Sequence, residues 1–175
     1  EGAKQAIEMF AGDTYVGLDA RSLDPAEMDW ADRHFRILSG LYGLLRPRDV
    51  IEPHRLEMGT RLATRRGKSL YDFWGDRIAR ALRAEAEALG TGVLLNCAST
   101  EYFTAADRPA LGLRVVTPRF LEDHPDGPRV MSLWAKRARG AMARFAIQNR
   151  IVDPDDLKGF QSGGYRYQPE MSGPD

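Results

Sequence analysis

The chain has 175 residues, 43% of them apolar and 29% charged, with 25 Lys and Arg balanced by 25 Asp and Glu. This composition excludes a disordered or collagen-like chain and fits a single globular domain over residues 1–175, able to bury about 70% of its extended surface without a structural metal or disulfides. Its one cysteine, Cys97, permits no internal disulfide, and no apolar run nears the roughly 20 residues that cross a bilayer, so a cytoplasmic protein is expected.

In chain order, residues 1–10 read as the end of a helix, and residues 14–18, in glycine-flanked sequence, as a short strand. Asp24-Pro25 supplies an N-cap and a proline at the first helical position. Met28, Ala31, Phe35 and Leu38 then recur at helical spacing, which predicts a helix up to Ser39-Gly40. Residues 46–68, with Pro47 and Pro53 and no clean period, read as an ordered loop over the core. Ser69 opens a further helix with the stripe Leu70, Trp74, Ile78, Leu82 and Leu89, and Gly90 is placed to close it.

Strands are predicted at residues 93–95, 113–117 and 129–133, and a helix at 134–150. An advance of about 100° per residue puts Trp134, Ala138, Ala141, Phe145 and Asn149 on its packing side and Lys136, Arg137, Arg139, Arg144 and Arg150 around the other. The tail at 168–175 is expected to fray. The expected fold class is α+β, a mixed sheet flanked by helices.

The zero net charge hides an uneven distribution. Residues 1–32 carry eight acids and two bases, residues 46–68 seven bases and three acids, and residues 128–152 six bases and no acid. The cationic helix therefore has two readings, a solvated face or a surface for nucleic-acid phosphates. Gly140 costs that helix about 1 kcal/mol relative to alanine, which points to close approach of a ligand or of a neighbouring helix.

An enzyme-like constellation offers an alternative. The strand at 93–95 runs into Asn96, Ser99 and Glu101, and the exit of a buried strand is a common place for a ligand site. Asn96 and Ser99 could orient an anionic small molecule such as a nucleotide, and Glu57 or Glu101 could serve as general base. The competing reading is an N-cap serine, a first-turn glutamate and a turn-bonding asparagine. His34, His54 and His124 are scattered without metal-binding spacing, and neither a P-loop nor a G-x-G-x-x-G is present, so no metal or cofactor is expected. Cys97, at the end of an apolar strand, reads as a small buried hydrophobe.

Five segments read together carry a more specific signal: Leu38-Ser39-Gly40-Leu41-Tyr42-Gly43-Leu44-Leu45-Arg46-Pro47; Pro53-His54-Arg55-Leu56-Glu57-Met58-Gly59-Thr60; Leu70-Tyr71-Asp72-Phe73-Trp74-Gly75-Asp76; Asn96-Cys97-Ala98-Ser99-Thr100-Glu101-Tyr102-Phe103; and Ala135-Lys136-Arg137-Ala138-Arg139-Gly140 continuing to Phe145. In combination they resemble the bacterial peroxide-stress protein YaaA family over nearly the whole chain. The resemblance implies a cytosolic protein that helps bacteria survive hydrogen peroxide and restrain unincorporated iron, with binding of double-stranded DNA through a helix-hairpin-helix element. Family members carry a further N-terminal section with a Ser-Pro-Ala-Lys-type segment and extend past residue 175, so this chain is expected to be a fragment.

On that expectation the DNA-binding residues are Ser39, Gly40, Tyr42, Gly43, Arg46 and Arg48 of the hairpin and Lys136, Arg137, Arg139 and Arg144 of the basic helix. Gly40 is expected at positive φ, facing a phosphate with no side chain in between. The competing reading makes Gly40 and Gly43 ordinary cap and turn glycines. Recognition is expected to rest on shape and charge, with a monomer as the expected state.

Overall fold

The computed structural model describes residues 2–174. Its elements run β1 Lys4–Gln5, α1 Ala6–Met9, α2 Asp13–Leu18, α3 Pro25–His34, β2 Ile37–Ser39, β3 Gly43–Leu45, β4 Val50–Ile51, α4 Leu70–Trp74, α5 Arg77–Ala88, β5 Val93–Leu95, α6 Thr100–Phe103, β6 Arg114–Val116, α7 Ser132–Gln148, β7 Gln161–Ser162 and β8 Tyr165–Arg166. The class is α+β. Among the described residues the strands pair two by two, β1 with β4, β2 with β3, β5 with β6 and β7 with β8, rather than forming one mixed sheet. Strands of two or three residues offer too few ladder bonds to build a wide sheet.

The chain gathers into two compact units. The first holds the residues up to Met9 with Asp32–Leu94 and Ala98–Arg114; the second holds Phe10–Ala31, Leu95–Cys97 and the chain from Val115 onward.

In the first unit, local chemistry decides where elements stop. The end of α3 is set by Arg36, whose Nη1 donates to Asp32 O at 2.9 Å and Phe35 O at 2.7 Å. The expected helix therefore ends at His34, and Ile37–Ser39 pairs antiparallel with Gly43–Leu45 as a β-hairpin. No helix flanks this turn, which corrects the helix-hairpin-helix expectation: ladder pairing wins over the helical spacing of Phe35 and Leu38. The helix expected from Ser69 is two helices. Ser69 caps α4, accepting from Asp72 N at 3.2 Å, and Gly75 at φ +51° breaks the chain before α5 buries Ile78, Ala79, Leu82 and Ala86. Residues 46–68 are irregular except for β4, which pairs with β1, and an antiparallel bridge between Thr64 and Gly67.

In the second unit, the start of α3 carries a reciprocal cap: Asp24 Oδ1 accepts from Glu27 N at 2.8 Å and Glu27 Oε2 accepts from Asp24 N at 2.9 Å. The strand expected at 14–18 is the helix α2, packed against α7. The crossing depends on two glycines. A Cβ at Gly140 would overlap Thr14 O and Leu18 N, and one at Gly17 would overlap Arg137 O. Close backbone packing thus overrides the strand propensity of Thr14, Tyr15 and Val16.

The strand expected at 129–133 is absent. Arg129 alone bridges Glu122, and the helix has begun by Ser132. The buried face of α7 is Ala135, Ala138, Gly140, Met142, Ala143, Ala146 and Ile147, while Trp134 is 52% exposed rather than packed. Around it Phe120, Phe160 and Tyr165 meet edge to face, with Leu95, Cys97 and Phe145 against the same cluster. In the tail, Pro169–Met171 form a 3-10 turn, and Asp175 lies outside the described residues.

Candidate functional site

At the β2–β3 hairpin the two glycines face inward. Positive φ belongs to Gly43, at +77°, not to Gly40. A Cβ at Gly40 would stand 2.5 Å from Leu56 O, and one at Gly43 would stand 2.7 Å from the Trp74 ring. Both therefore serve packing, and the expectation that Gly40 at positive φ opens onto a phosphate is corrected. Trp74 Nε1 donates to Gly40 O at 3.0 Å, which fixes the turn from below.

Ser39, 1% exposed, accepts from Tyr42 N at 3.1 Å, and its Oγ lies 3.5 Å from His54 Nε2. His54 Nδ1 is 3.1 Å from Glu52 O, and a carbonyl can only accept, so Nδ1 carries the proton. Leu41 and Tyr42 form the exposed tip.

Beyond the turn, Arg46 Nη2 donates to Glu85 Oε1 at 3.0 Å, and that hydrogen bond leads in raising Arg46 above its ordinary pKa. Arg36 Nη2 reaches the other oxygen, Oε2, at 2.5 Å. Burial works against the Glu85 charge, yet the two arginines hold its carboxyl below its ordinary 4.5. Arg48 is exposed at its side chain, and its backbone N–H donates to Asp32 Oδ1 at 3.1 Å.

The cations of α7 do not form one free face. Arg137 Nε lies 3.5 Å from Asp13 Oδ1 and its guanidinium stacks over Trp134. Arg144 donates to Leu18 O at 3.1 Å and Asp19 O at 2.8 Å. Gln148 donates to Glu27 at 3.2 Å. Asp13 and Asp19 thus meet two bases of α7, a pairing that linear sequence does not display.

Arg139 is half-buried beside Cys97, its Nε without a hydrogen-bond partner among the described residues, and burial pulls its pKa down. Burial in turn pushes the Cys97 thiol up to about 12, and the Arg139 charge opposes that without overcoming it. Lys136 alone of the four α7 candidates stands exposed with no partner among the described residues.

The enzyme-like residues are held in structural bonds. Ser99 Oγ caps α6, accepting from Tyr102 N at 3.4 Å. Glu101 Oε1 accepts from Gly59 N at 2.9 Å, and its backbone oxygen accepts from Tyr71 Oη at 2.8 Å. Asn96 Nδ2 donates to Thr117 Oγ1 at 3.4 Å. Glu57 is exposed near Arg55, at 3.9 Å, and its charge reaches the Tyr102 hydroxyl, whose pKa is raised first by burial and then by Glu101 and Glu57. Ser99 is thus an N-cap and Glu101 a first-turn acid, while Asn96 bonds the Thr117 side chain rather than a turn. Among the described residues no His, Cys, Asp and Glu cluster could hold a metal ion.

Sequence patterns did not single out Arg61 and Arg65, exposed with no acidic partner among the described residues, nor the grouping of Arg66, Arg77 and Arg80 beside Phe73. The density of arginine at 61–66 was a usable signal; the convergence of Arg66 with the start of α5 was not.

Comparison with known proteins places these features in a family. The family model described as peroxide stress protein YaaA matches residues 1–171. The chain is 62% identical over 170 residues to a UPF0246 protein of Cereibacter sphaeroides, covering 97% of this chain and 66% of that protein. It is 60% identical over 177 residues to a UPF0246 protein of Roseobacter denitrificans, covering 100% and 68%, and 61% identical over 172 residues to one of Ruegeria pomeroyi, covering 98% and 67%. The chain spans about two thirds of the length of the curated relatives it matches.

Proposed function

The chain belongs to the peroxide stress protein YaaA family, and from that premise we propose that it acts in the bacterial response to hydrogen peroxide as a cytoplasmic, monomeric protein that binds double-stranded DNA by shape and charge. The observation that carries the DNA reading is the arginine-rich loop after the hairpin. Arg48, Arg55, Arg61 and Arg65 are exposed there, and Arg61 and Arg65 have no acid to neutralise them among the described residues. Phosphate is the counter-charge such a loop fits, and the Leu41-Tyr42 tip stands at the same hairpin. Of the α7 cations we assign Lys136 to phosphate. Arg137 and Arg144 are engaged with Asp13 and with the backbone at Leu18 and Asp19, and a cation already neutralised releases fewer counterions.

The test is the slope of log affinity against log salt on duplex DNA, where each neutralised phosphate contributes about 0.9. Arg61→Gln with Arg65→Gln should flatten that slope by about 2 units and weaken unrelated duplex sequences equally. Lys136→Gln should add about 1 unit. Parental affinity and slope in the double variant would remove the loop as the contact and the reading with it.

A further inference from the structure

A solvent-open cavity of about 310 Å³ lies at the α4–α5 junction of the first unit, lined by Arg66, Phe73, Arg77 and Arg80 with Asp72 and Asp76. The three guanidiniums are held by different means. Arg66 lies over the Phe73 ring, its Cζ 5.0 Å from the ring centre. Arg77 Nη1 donates to Phe73 O at 2.8 Å. Arg80 Nη2 lies 3.7 Å from Asp76 Oδ2 in an exposed i,i+4 pair. Arg66 and Arg77 have no carboxylate partner among the described residues.

Asp72 turns its carboxylate onto Ser69 Oγ at 2.9 Å and Lys68 N at 3.0 Å, and the Ser69 hydrogen bond leads in holding its pKa below the ordinary value. The lining therefore presents three cations against two anions, one of which is spent on the helix cap. The wall behind them is fixed. Phe73 meets Trp74 edge to face at 5.0 Å, and Trp74 is anchored on Gly40 O.

We propose that this cavity binds a phosphate monoester. Guanidinium forks match pairs of phosphate oxygens, and three arginines lining one space suit a doubly charged group better than a carboxylate or a phosphodiester. A volume of about 310 Å³ is at the low end for small-molecule sites and holds a phosphate with a sugar-sized body. One face of Phe73 is occupied by Arg66, and the Trp74 ring packs against Gly43, so the site recognises the phosphate end rather than stacking a base. The same chemistry arrives on a free sugar phosphate or on the 5′ end of a nucleic acid. The site shares no residue with the duplex contact proposed above.

Calorimetric titration with ribose 5-phosphate, and with one duplex carrying or lacking a 5′-phosphate, tests it. We expect saturable binding of ribose 5-phosphate, or at least a tenfold preference for the phosphorylated duplex. Binding should weaken about tenfold from pH 7.5 to pH 5, because the second proton of a phosphate monoester returns near pH 6. Arg66→Gln and Arg80→Gln should each cost about tenfold. Both side chains are exposed and neither bonds a backbone carbonyl, so folding is preserved, as circular dichroism would check. Binding of ribose 5-phosphate alone identifies the small ester as the ligand, and a preference seen only on the duplex identifies the nucleic-acid end. No saturable binding in either arm, or binding that both variants retain in full, overturns the proposal. Absence of ribose 5-phosphate binding, together with duplex affinity that is lost in the Arg61 and Arg65 double variant but indifferent to the 5′-phosphate, would sink this site and leave the DNA reading standing.

Discussion

Cys97 shows how much one residue's chemistry depends on its surroundings. A thiol needs its anion to react with peroxide, and with its pKa pushed up to about 12 by burial Cys97 stays protonated at neutral pH despite the Arg139 charge beside it. Its neighbours Phe120, Met142 and Phe160 mark it as a packing residue. Alkylation by iodoacetamide at pH 7.5 should therefore be slow in the folded protein and become fast in urea, at least about a hundredfold apart. Rapid labelling of the native chain would make a thiol mechanism credible. The apolar, partly buried setting of Cys97 is legible from Val93-Leu94-Leu95 before it. The proximity of Arg139 is not, because the two residues are far apart in the chain and only the packing of α7 brings them together.

At the scale of elements, the α2–α7 crossing reverses an ordinary rule. In an open helix, replacing glycine by alanine stabilises by about 1 kcal/mol. Gly140 is closed in by the backbone of Thr14 and Leu18, which cannot step aside as a flexible side chain could. Gly140→Ala should therefore destabilise by about 2–3 kcal/mol through forced separation of the helices, measured by urea unfolding. A stabilised variant would show that the crossing is looser than the geometry has it. The same close approach explains why α2 is a helix although Thr14, Tyr15 and Val16 favour a strand. The β2–β3 hairpin is the converse case, where helical spacing at Phe35 and Leu38 loses to a ladder and to Arg36 closing α3.

Across the whole molecule, charges that look segregated along the chain are brought together by folding. Asp13 and Asp19 meet Arg137 and Arg144 in the second unit, and Glu85 joins Arg36 and Arg46 in the first. The Arg36 side chain is 9% exposed, so its charge depends on Glu85 for neutralisation. Glu85→Gln should cost about 2 kcal/mol at pH 7. Since the Glu85 pKa is depressed in the fold, its contribution is complete above the unfolded value near 4.5 and disappears as pH falls through the lower folded value. The gap between parent and variant in urea unfolding should accordingly close as pH falls below 4.5, and equal stability at pH 7 would contradict the role given to this network.

Sequence by itself determined the α+β class, the start of α3 from Asp24-Pro25, the strand at Val93–Leu95, the long helix near the C-terminus and the family. Each rests on local signals: a cap, a period or a run of residue types. The tertiary structure decided which cations remain free, which glycines serve packing, and where Arg66 meets α5. Those outcomes depend on residues far apart in the chain. Ion pairing and close backbone approach are set by distance in space, and neither leaves a period in the sequence.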